Sequence, residues 1–280
     1  MLQSAGCDVP ENQSLIDVWS AAASADRPGE LERCCEAWLT EDERTRATRF
    51  RKDTTRNQHV VGRGMTRKLL CDRFVDPAQI ELGFQLHGKP FVAAPPQAAR
   101  PFNVAHTEGL VLFASCHSAA GSEMALGVDV ERLSRRTDVE LAQRYFAAPE
   151  VEFVWDHRDP DERRYAFLRV WTLKEAFIKA IGTGLTMPLG DFAFEQIDAE
   201  RPRVRMLNPA LETGEPWQFI AFHPADDYIG AIAISGLPVD QPAALQLRRF
   251  ESLLGLPAAP LPTASPSASL PSGRPAPTVR

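Results

Sequence analysis

The chain has 280 residues, 44% of them hydrophobic and 24% charged, with a formal net charge of −6 and a pI of about 5.6. That composition is typical of a globular protein with a substantial core, and the acidic balance argues against a general nucleic-acid-binding surface. No apolar run approaches the roughly 18 residues that span a bilayer, and no signal-peptide pattern opens the chain. The five cysteines are odd in number and irregularly spaced, which favours free thiols over disulfides. We therefore predict a cytoplasmic protein without a membrane anchor.

The first part of the chain mixes strand and helix patterns. Apolar residues recur at helical intervals between Thr54 and Cys71, which predicts one long helix. Acidic residues directly follow Thr40, where they complement a helix dipole and predict another helix start. The elements predicted here are a strand at 15–19, helices at 31–39, from 40 onward and at 54–71, and strands at 80–86, 102–105 and 110–116.

The second part begins with a strand pattern and continues with helices. The last of these helices is ended by Gly182 and Gly184. Four further strand patterns follow and predict a β-meander. The elements predicted here are a strand at 125–130, helices at 138–145, 149–156 and 161–181, and strands at 192–195, 203–206, 217–223 and 229–235.

The order of these elements shows neither regular βαβ alternation nor a glycine-rich phosphate loop, so we predict an α+β fold. A polar loop at 118–123 divides the chain into an N-terminal half, 13–122, and a C-terminal half, 123–242. Residues 1–12 are predicted to be flexible. Proline, alanine and serine dominate 256–280, and such a segment buries too little surface to offset its ordering entropy, so we predict a disordered tail.

Two short segments of the C-terminal half carry charges at spacings that suit a single site. Asp129 and Glu131 are two apart on a predicted strand, so they project from one face, roughly 7 Å apart. Glu175 and Lys179 are four apart on a predicted helix, so they share one face as well. Carboxylate oxygens suit Mg²⁺, and a lysine beside them suggests a phosphate. The remaining histidines, other than His106, show no metal-ligand spacing.

Further segments strengthen this interpretation because they recur in the order of a known family. They are 62–63 with 67–70, Gly-Lys-Pro at 88–90, Phe-Asn-Val-Ala-His-Thr at 102–107, Gly-Val-Asp-Val-Glu at 127–131, and Trp-Thr-Leu-Lys-Glu-Ala-Phe-Ile-Lys at 171–179. Over about 15–237 the chain resembles the 4′-phosphopantetheinyl transferases of the surfactin-synthetase type (group II). These enzymes move phosphopantetheine from coenzyme A to a serine of acyl or peptidyl carrier proteins.

The resemblance implies two similar α/β-type halves in one pseudo-symmetric monomer, with coenzyme A in the cleft between them. At 105–107 the chain has Ala-His-Thr where many relatives have Ser-His-Ser, so Thr107 stands in for a serine near the phosphates. The implied Mg²⁺ ligands are Asp129, Glu131 and Glu175. The implied contacts to the phosphates of coenzyme A are Lys89, His106, Thr107 and Lys179.

The implied reaction breaks a pyrophosphate and releases 3′,5′-ADP, so it needs alignment and neutralisation of charge. Lys179 would reach the same oxygens as the metal, as a fixed cation. Glu175 is the candidate base for the carrier serine, directly or through a metal-bound water, and His106 is its rival. The 3′-phosphate calls for further cations, for which Arg51, Lys52 and Arg63 are candidates together with Lys89.

Two other functions remain open at this point. The chain could be a non-catalytic module that binds coenzyme A or a carrier protein, or a different phosphate-ester enzyme such as a pyrophosphatase. The expected partners are coenzyme A and apo carrier proteins of fatty acid, polyketide or nonribosomal peptide synthesis, with no nucleic acid and no membrane. Carrier proteins of this family are commonly acidic, so the cluster Arg132, Arg135 and Arg136 is a candidate docking surface.

Overall fold

The computed structural model of the protein describes residues 14–71, 75–116, 124–212, 214–238, 241–259 and 261. The predicted flexible N-terminus and the dividing loop at 118–123 lie outside these residues, as does the predicted disordered tail from 262 onward. At the start of that predicted tail, Leu256 packs against the core.

Helices and strands alternate irregularly along the chain. The helices are α1 (Glu30–Ala37), α2 (Glu41–Ala47), α3 (Asp53–Leu70), α4 (Leu141–Tyr145), α5 (Ala148–Asp156), α6 (Pro160–Ile181) and α7 (Phe250–Leu253). The strands are β1 (Ser14–Ala22), β2 (Glu81–Phe84), β3 (Pro90–Ala94), β4 (Phe102–Thr107), β5 (Leu110–Cys116), β6 (Ala125–Arg132), β7 (Phe192–Glu195), β8 (Arg203–Met206), β9 (Trp217–Phe222), β10 (Tyr228–Ser235) and β11 (Ala243–Arg249).

The predicted α+β class is confirmed, and each predicted helix and strand has a counterpart with similar bounds. The predicted meander is wrong, because β7 and β8 form a separate hairpin while β9 and β10 join β6. Strand β3 and the segment 243–253 were not predicted. That segment forms β11 and α7, and β11 pairs in parallel with β1, so both ends of the described chain build one sheet.

Two sheets carry the core. The first has the order β11-β1-β5-β4, and the second has the order β6-β10-β9. Alternate residues of each strand face opposite sides, so Ile232 and Ile234 pack toward the first sheet, while Ala231 and Ala233 pack toward α6. On the outer face of the first sheet, α3 packs in the same way. Each sheet is therefore covered by one long helix, and the two sheets share a core between them.

Helix α6 owes its bounds to its first and last residues. Asp159 caps its start by accepting hydrogen bonds from the backbone N–H groups of Asp161 (2.8 Å) and Glu162 (3.1 Å). Gly182 ends it in the left-handed conformation, with φ at 81°. No helix in the described part of the chain is long and apolar enough to cross a membrane.

Strand β6 and helix α6 approach each other very closely at Gly127. A Cβ atom at this position would lie 2.0 Å from the Ala176 carbonyl oxygen and 2.5 Å from the Ala180 backbone nitrogen. Both of those atoms belong to the helix backbone and cannot rotate away. Only glycine therefore permits this spacing of strand and helix.

We predict that Gly127→Ala lowers the free energy of unfolding by about 1–3 kcal/mol or more, because the strand and helix must separate. Gly62→Ala is the matched control. Its Cβ would meet Val104 and Val111 at 3.5 Å and 3.7 Å, which is ordinary contact, and alanine favours the helix by about 0.5–1 kcal/mol. Urea unfolding measures both variants, and equal midpoints for wild type and Gly127→Ala would contradict the close crossing.

Candidate active site

Three carboxylates meet where β6 packs on α6. Asp129 and Glu131 lie on one face of β6, as predicted, and Glu175 lies on α6. Burial raises the pKa of all three. Each also has its pKa raised by the negative charge of another: Asp129 by Glu175, Glu131 by Asp129, and Glu175 by Glu131. The three predicted metal ligands therefore form one electrostatically coupled group.

Two cations balance this group. Lys179 Nζ donates to Asp129 Oδ1 at 2.6 Å, and Arg135 forms an ion pair with Glu131 Oε2. The predicted neighbours Glu175 and Lys179 do share a helix face, but Lys179 reaches across to the strand. Lys179, which the sequence places one helical turn from Glu175, thus connects β6 and α6, the two elements that carry the carboxylates.

Two oxygens of this carboxylate group, Asp129 Oδ2 and Glu175 Oε1, are buried without a hydrogen-bond partner in the described structure. Such atoms are costly unless a ligand satisfies them. No group of three or more His, Cys, Asp and Glu side chains in the described ranges is already arranged to hold a metal ion. Lys179 occupies Asp129 Oδ1, and Arg135 occupies Glu131 Oε2. The donor chemistry and the two unpartnered oxygens nevertheless fit Mg²⁺, which prefers carboxylate oxygens.

The first sheet contributes its edge strand β4 to the site. Asn103 Oδ1 accepts a hydrogen bond from the Val128 backbone N–H at 2.9 Å, which ties β4 to β6. Thr107 Oγ1 donates to Glu131 Oε2 at 3.2 Å, so Thr107 supports a carboxylate in this structure. His106 is exposed beside the site, where partial desolvation and then the Lys179 charge lower its pKa. The structure thus brings Thr107 to the carboxylates and His106 near Lys179.

Lys89 lies at the same junction but makes a different contact from the predicted one. Its ammonium donates to the backbone carbonyls of Ala180 (2.6 Å) and Leu126 (3.1 Å). These two carbonyls engage two of the three N–H donors of the ammonium.

The predicted arginines lie in the first half of the chain. Arg51 is exposed just before α3, and no described interaction joins it to the carboxylates. Arg63 lies over the Phe84 ring, 5.4 Å from its centroid. Desolvation lowers the pKa of Arg63, and the charge of nearby Arg46 lowers it further. Desolvation, Arg63 and Arg46 lower the pKa of His59 to about 4, and His59 Nε2 is buried without a partner in the described structure.

Arg46 and His59 were missed by the sequence analysis. His59 and Arg63 are four apart on α3, so helical spacing could have joined them. Arg46 lies on α2, and its position beside them depends on how the two helices pack. Together with Arg63 these residues form a basic cluster.

The basic residues after Glu131 are largely engaged within the chain. Arg132 binds Asp227 at 2.8 Å and Glu108 at 2.9 Å, and Arg135 binds Glu131. Arg136 is exposed, and no ion pair involves it within the described residues. The candidate docking surface is thus smaller than the sequence suggests.

Lys174, next to Glu175, points away from the site, as expected for adjacent residues of a helix. It forms a completely buried ion pair with Glu150 at 2.7 Å, and it donates to the carbonyls of Leu189 and Phe192 at 2.7 Å each. Glu150 accepts from the backbone of Ala147 and Phe194 as well. This pair fixes α6 against α5 and β7 behind the carboxylates.

Comparison with known proteins identifies the class to which this fold and site belong. Residues 125–233 match the 4′-phosphopantetheinyl transferase superfamily, and residues 29–118 match the 4′-phosphopantetheinyl transferase N-terminal family. The protein is an enzyme, a transferase. The chain belongs to the 4′-phosphopantetheinyl transferase superfamily, whose members modify carrier proteins.

Similar curated proteins align over most of the chain. The 4′-phosphopantetheinyl transferase HetI of Nostoc sp. is 29% identical over 84% of this chain and 96% of its own length. A 4′-phosphopantetheinyl transferase of Bacillus subtilis is 27% identical over 82% of this chain and 96% of its own. Among solved structures, Thermotoga maritima holo-[acyl-carrier-protein] synthase covers 41% of this chain and 64% of its own at 22% identity, with a TM-score of 0.33, too low a likeness to support a conclusion.

We predict that Lys174→Met lowers the free energy of unfolding by about 3–5 kcal/mol, because it leaves the Glu150 charge buried and unpaired. The double variant Lys174→Met/Glu150→Gln should lose less than the single one, because it removes the buried charge and keeps a side-chain acceptor. Chemical denaturation of the wild type, Lys174→Met, Glu150→Gln and the double variant gives all the values needed. Additive losses in the double variant would show that the two side chains are not coupled.

Proposed function

We propose that this protein transfers 4′-phosphopantetheine from coenzyme A to a serine of an apo carrier protein in a Mg²⁺-dependent reaction. The products are holo carrier protein and 3′,5′-ADP. The observation that carries the proposal is the pair of unpartnered buried oxygens, Asp129 Oδ2 and Glu175 Oε1, in a carboxylate group that Lys179 already joins. A site with this charge pattern is suited to a divalent cation and a pyrophosphate.

The carrier serine attacks the phosphorus that bears the pantetheine arm, and the bond from that phosphorus to the 3′,5′-ADP oxygen breaks. Asp129, Glu131 and Glu175 would hold Mg²⁺, which when bound neutralises charge on the pyrophosphate oxygens. Glu175 takes up the serine proton at its carboxylate. Beside Mg²⁺ its carboxylate would stay ionised and weakly basic, so we expect this proton transfer to contribute about 10²-fold.

Two further side chains orient the pyrophosphate. Lys179, fixed on Asp129 and part exposed, offers its remaining N–H donors and its charge to the leaving oxygens. His106 stands exposed at the edge of β4, and its lowered pKa favours the neutral ring, which donates one hydrogen bond to a phosphate oxygen.

The basic cluster Arg46, His59 and Arg63 is our proposed site for the 3′-phosphate of coenzyme A. Desolvation and the charges of Arg63 and Arg46 lower the pKa of His59, and desolvation and Arg46 lower that of Arg63, while the nearby carboxylate of Glu43 raises both. The basic groups therefore repel one another even with this carboxylate beside them. A phosphate would relieve that repulsion. Arg51 and Lys52, exposed where α3 begins, are further candidates for contact with this phosphate.

We further propose that the halves 13–122 and 123–242 form one monomer of the surfactin-synthetase type. The supporting observation is that each half covers its sheet with one long helix and that β4 meets β6 at the carboxylates. The substrates proposed are apo acyl carrier proteins and peptidyl or polyketide carrier domains, and Arg136 is the residue best placed to attract their acidic surfaces.

Mass spectrometry of an apo carrier protein after incubation with coenzyme A and Mg²⁺ tests this function. The expected result is a carrier heavier by one phosphopantetheine. Binding of coenzyme A without any mass gain would instead identify a non-catalytic binding module. Cleavage of coenzyme A without transfer would identify a phosphate-ester hydrolase. Carriers from fatty acid, polyketide and nonribosomal peptide synthesis, assayed in parallel, would define the range of substrates.

We predict that Glu175→Gln reduces kcat by about 10²-fold or more, because it removes the proposed base and a metal ligand together. Coenzyme A affinity measured in EDTA should stay near the wild-type value. Glu152→Gln, on the exposed face of α5, is the matched control and should leave turnover unchanged. Full activity of Glu175→Gln would remove Glu175 from the mechanism.

We also predict that Arg135→Gln increases the affinity for Mg²⁺ several-fold, because Arg135 competes with the cation for Glu131. Isothermal titration of Mg²⁺ in the absence of coenzyme A measures this affinity directly. Arg136→Gln, which removes an adjacent exposed charge, should change the affinity less. Weaker Mg²⁺ binding by Arg135→Gln would mean that the arginine supports the site rather than competing for it.

A further inference from the structure

Lys89 follows a tight turn that fixes its backbone. The Gln85 N–H donates to the Lys89 carbonyl, and the Gly88 N–H donates to the Gln85 carbonyl, both at 2.9 Å. Gly88 has a φ of 84°, which glycine adopts without strain. The turn connects β2 to β3 and aims the Lys89 side chain away from the hairpin.

The β2–β3 hairpin is anchored to α3 in the first half of the chain. Arg67 on α3 donates to the Ile80 carbonyl at 2.8 Å, directly before β2. Arg63, one helical turn earlier, lies over the ring of Phe84 at the end of β2. The base of the hairpin is therefore held by α3, while its turn extends toward the second half.

The Lys89 ammonium bridges the two elements that carry the carboxylates. Its acceptors are Leu126 O on β6 at 3.1 Å and Ala180 O on α6 at 2.6 Å. Leu126 precedes Asp129 on the same strand, and Ala180 directly follows Lys179 on the same helix. One cation from the first half thus ties together both parts of the site in the second half.

The Lys89 bridge lies at the close crossing of β6 and α6. Gly127, next to Leu126, lies against Ala176 and Ala180 with no room for a Cβ. The turn also packs on the end of α6, since a Cβ on Gly182 would lie 2.7 Å from Gln85 Oε1 and 3.2 Å from Lys89 Cδ.

Chemistry favours a cation at this position. The last carbonyls of a helix lack partners within the helix and carry its negative partial charge, so an ammonium satisfies them well. Desolvation lowers the pKa of Lys89 to about 8, which shows how far the group is withdrawn from water. Its hydrogen bonds to the two carbonyls offset the free-energy cost of burying the charged ammonium.

We infer that Lys89 is a positioning residue. By its hydrogen bonds to both elements it holds β6 against α6 and so fixes the spacing of Asp129 and Glu131 relative to Glu175. The inference rests on the proposed function, in which these carboxylates hold Mg²⁺. In this role Lys89 acts on the metal site without touching a phosphate. Because Lys89 lies in the first half of the chain, this half then supports the metal site of the second half.

The test separates metal affinity from coenzyme A affinity. Mg²⁺ is titrated calorimetrically in the absence of coenzyme A, and coenzyme A is titrated in EDTA. Lys89→Met keeps the aliphatic stem and removes the donors, and it should weaken Mg²⁺ binding about 10-fold, as loss of a supporting contact at a metal site does. Coenzyme A affinity in EDTA should change less than about 2-fold, against the 10-fold or more that loss of a charged phosphate contact would cost.

Two further variants keep the test decisive. Lys89→Arg retains charged donors and should recover part of the Mg²⁺ affinity, and it carries the test if Lys89→Met fails to fold. Lys68→Met removes a half-buried lysine that lies over Trp38 in the first half, and it should bind Mg²⁺ as the wild type does.

Unchanged Mg²⁺ affinity in Lys89→Met would overturn the inference while leaving the proposed function intact. The same holds for a 10-fold loss of coenzyme A affinity in EDTA with normal Mg²⁺ binding, which would make Lys89 a phosphate ligand. Failure of the wild type itself to bind Mg²⁺ would overturn the proposed metal site, and the inference with it. The wild-type titration therefore distinguishes the two failures.

Discussion

The crossing of β6 and α6 at Gly127 is the constraint on which the rest of the structure depends. The strand supplies Asp129 and Glu131, and the helix supplies Glu175 and Lys179, so the site exists only while the two elements touch. Glycine on the strand and alanines on the helix allow backbone to meet backbone. A larger side chain at this position would separate the carboxylates by the width of at least one methyl group, too far for donors that must meet around one small cation.

Burial of three carboxylates in one place carries a high electrostatic cost, and the chain offsets it with its own cations. Lys179 and Arg135 neutralise part of the charge, and Thr107 donates a hydrogen bond to Glu131. Two oxygens nevertheless remain without a partner. Buried oxygens left without a partner inside a group of carboxylates are expected where a ligand binds, which connects the energetics of the fold with the transferase chemistry of its family.

Local patterns in the sequence predicted the carboxylates well, because strand and helix periodicity places Asp129 with Glu131 and fixes the face of Glu175. They could not predict partners that depend on packing. Lys179 is one turn from Glu175, yet it binds Asp129 on the opposite element. Nothing in the local pattern around Lys89 indicates its carbonyl acceptors on β6 and α6, which are far along the chain. Strand β11 was missed because it is an edge strand whose partner, β1, lies at the other end of the chain.

A crystal structure with Mn²⁺ and coenzyme A, in which anomalous scattering locates the manganese, tests the central claim most directly. The account predicts manganese among Asp129, Glu131 and Glu175, in contact with the pyrophosphate, while Lys89 remains on the carbonyls of Leu126 and Ala180. Manganese bound elsewhere, or Lys89 turned onto a phosphate with its carbonyls abandoned, would contradict it.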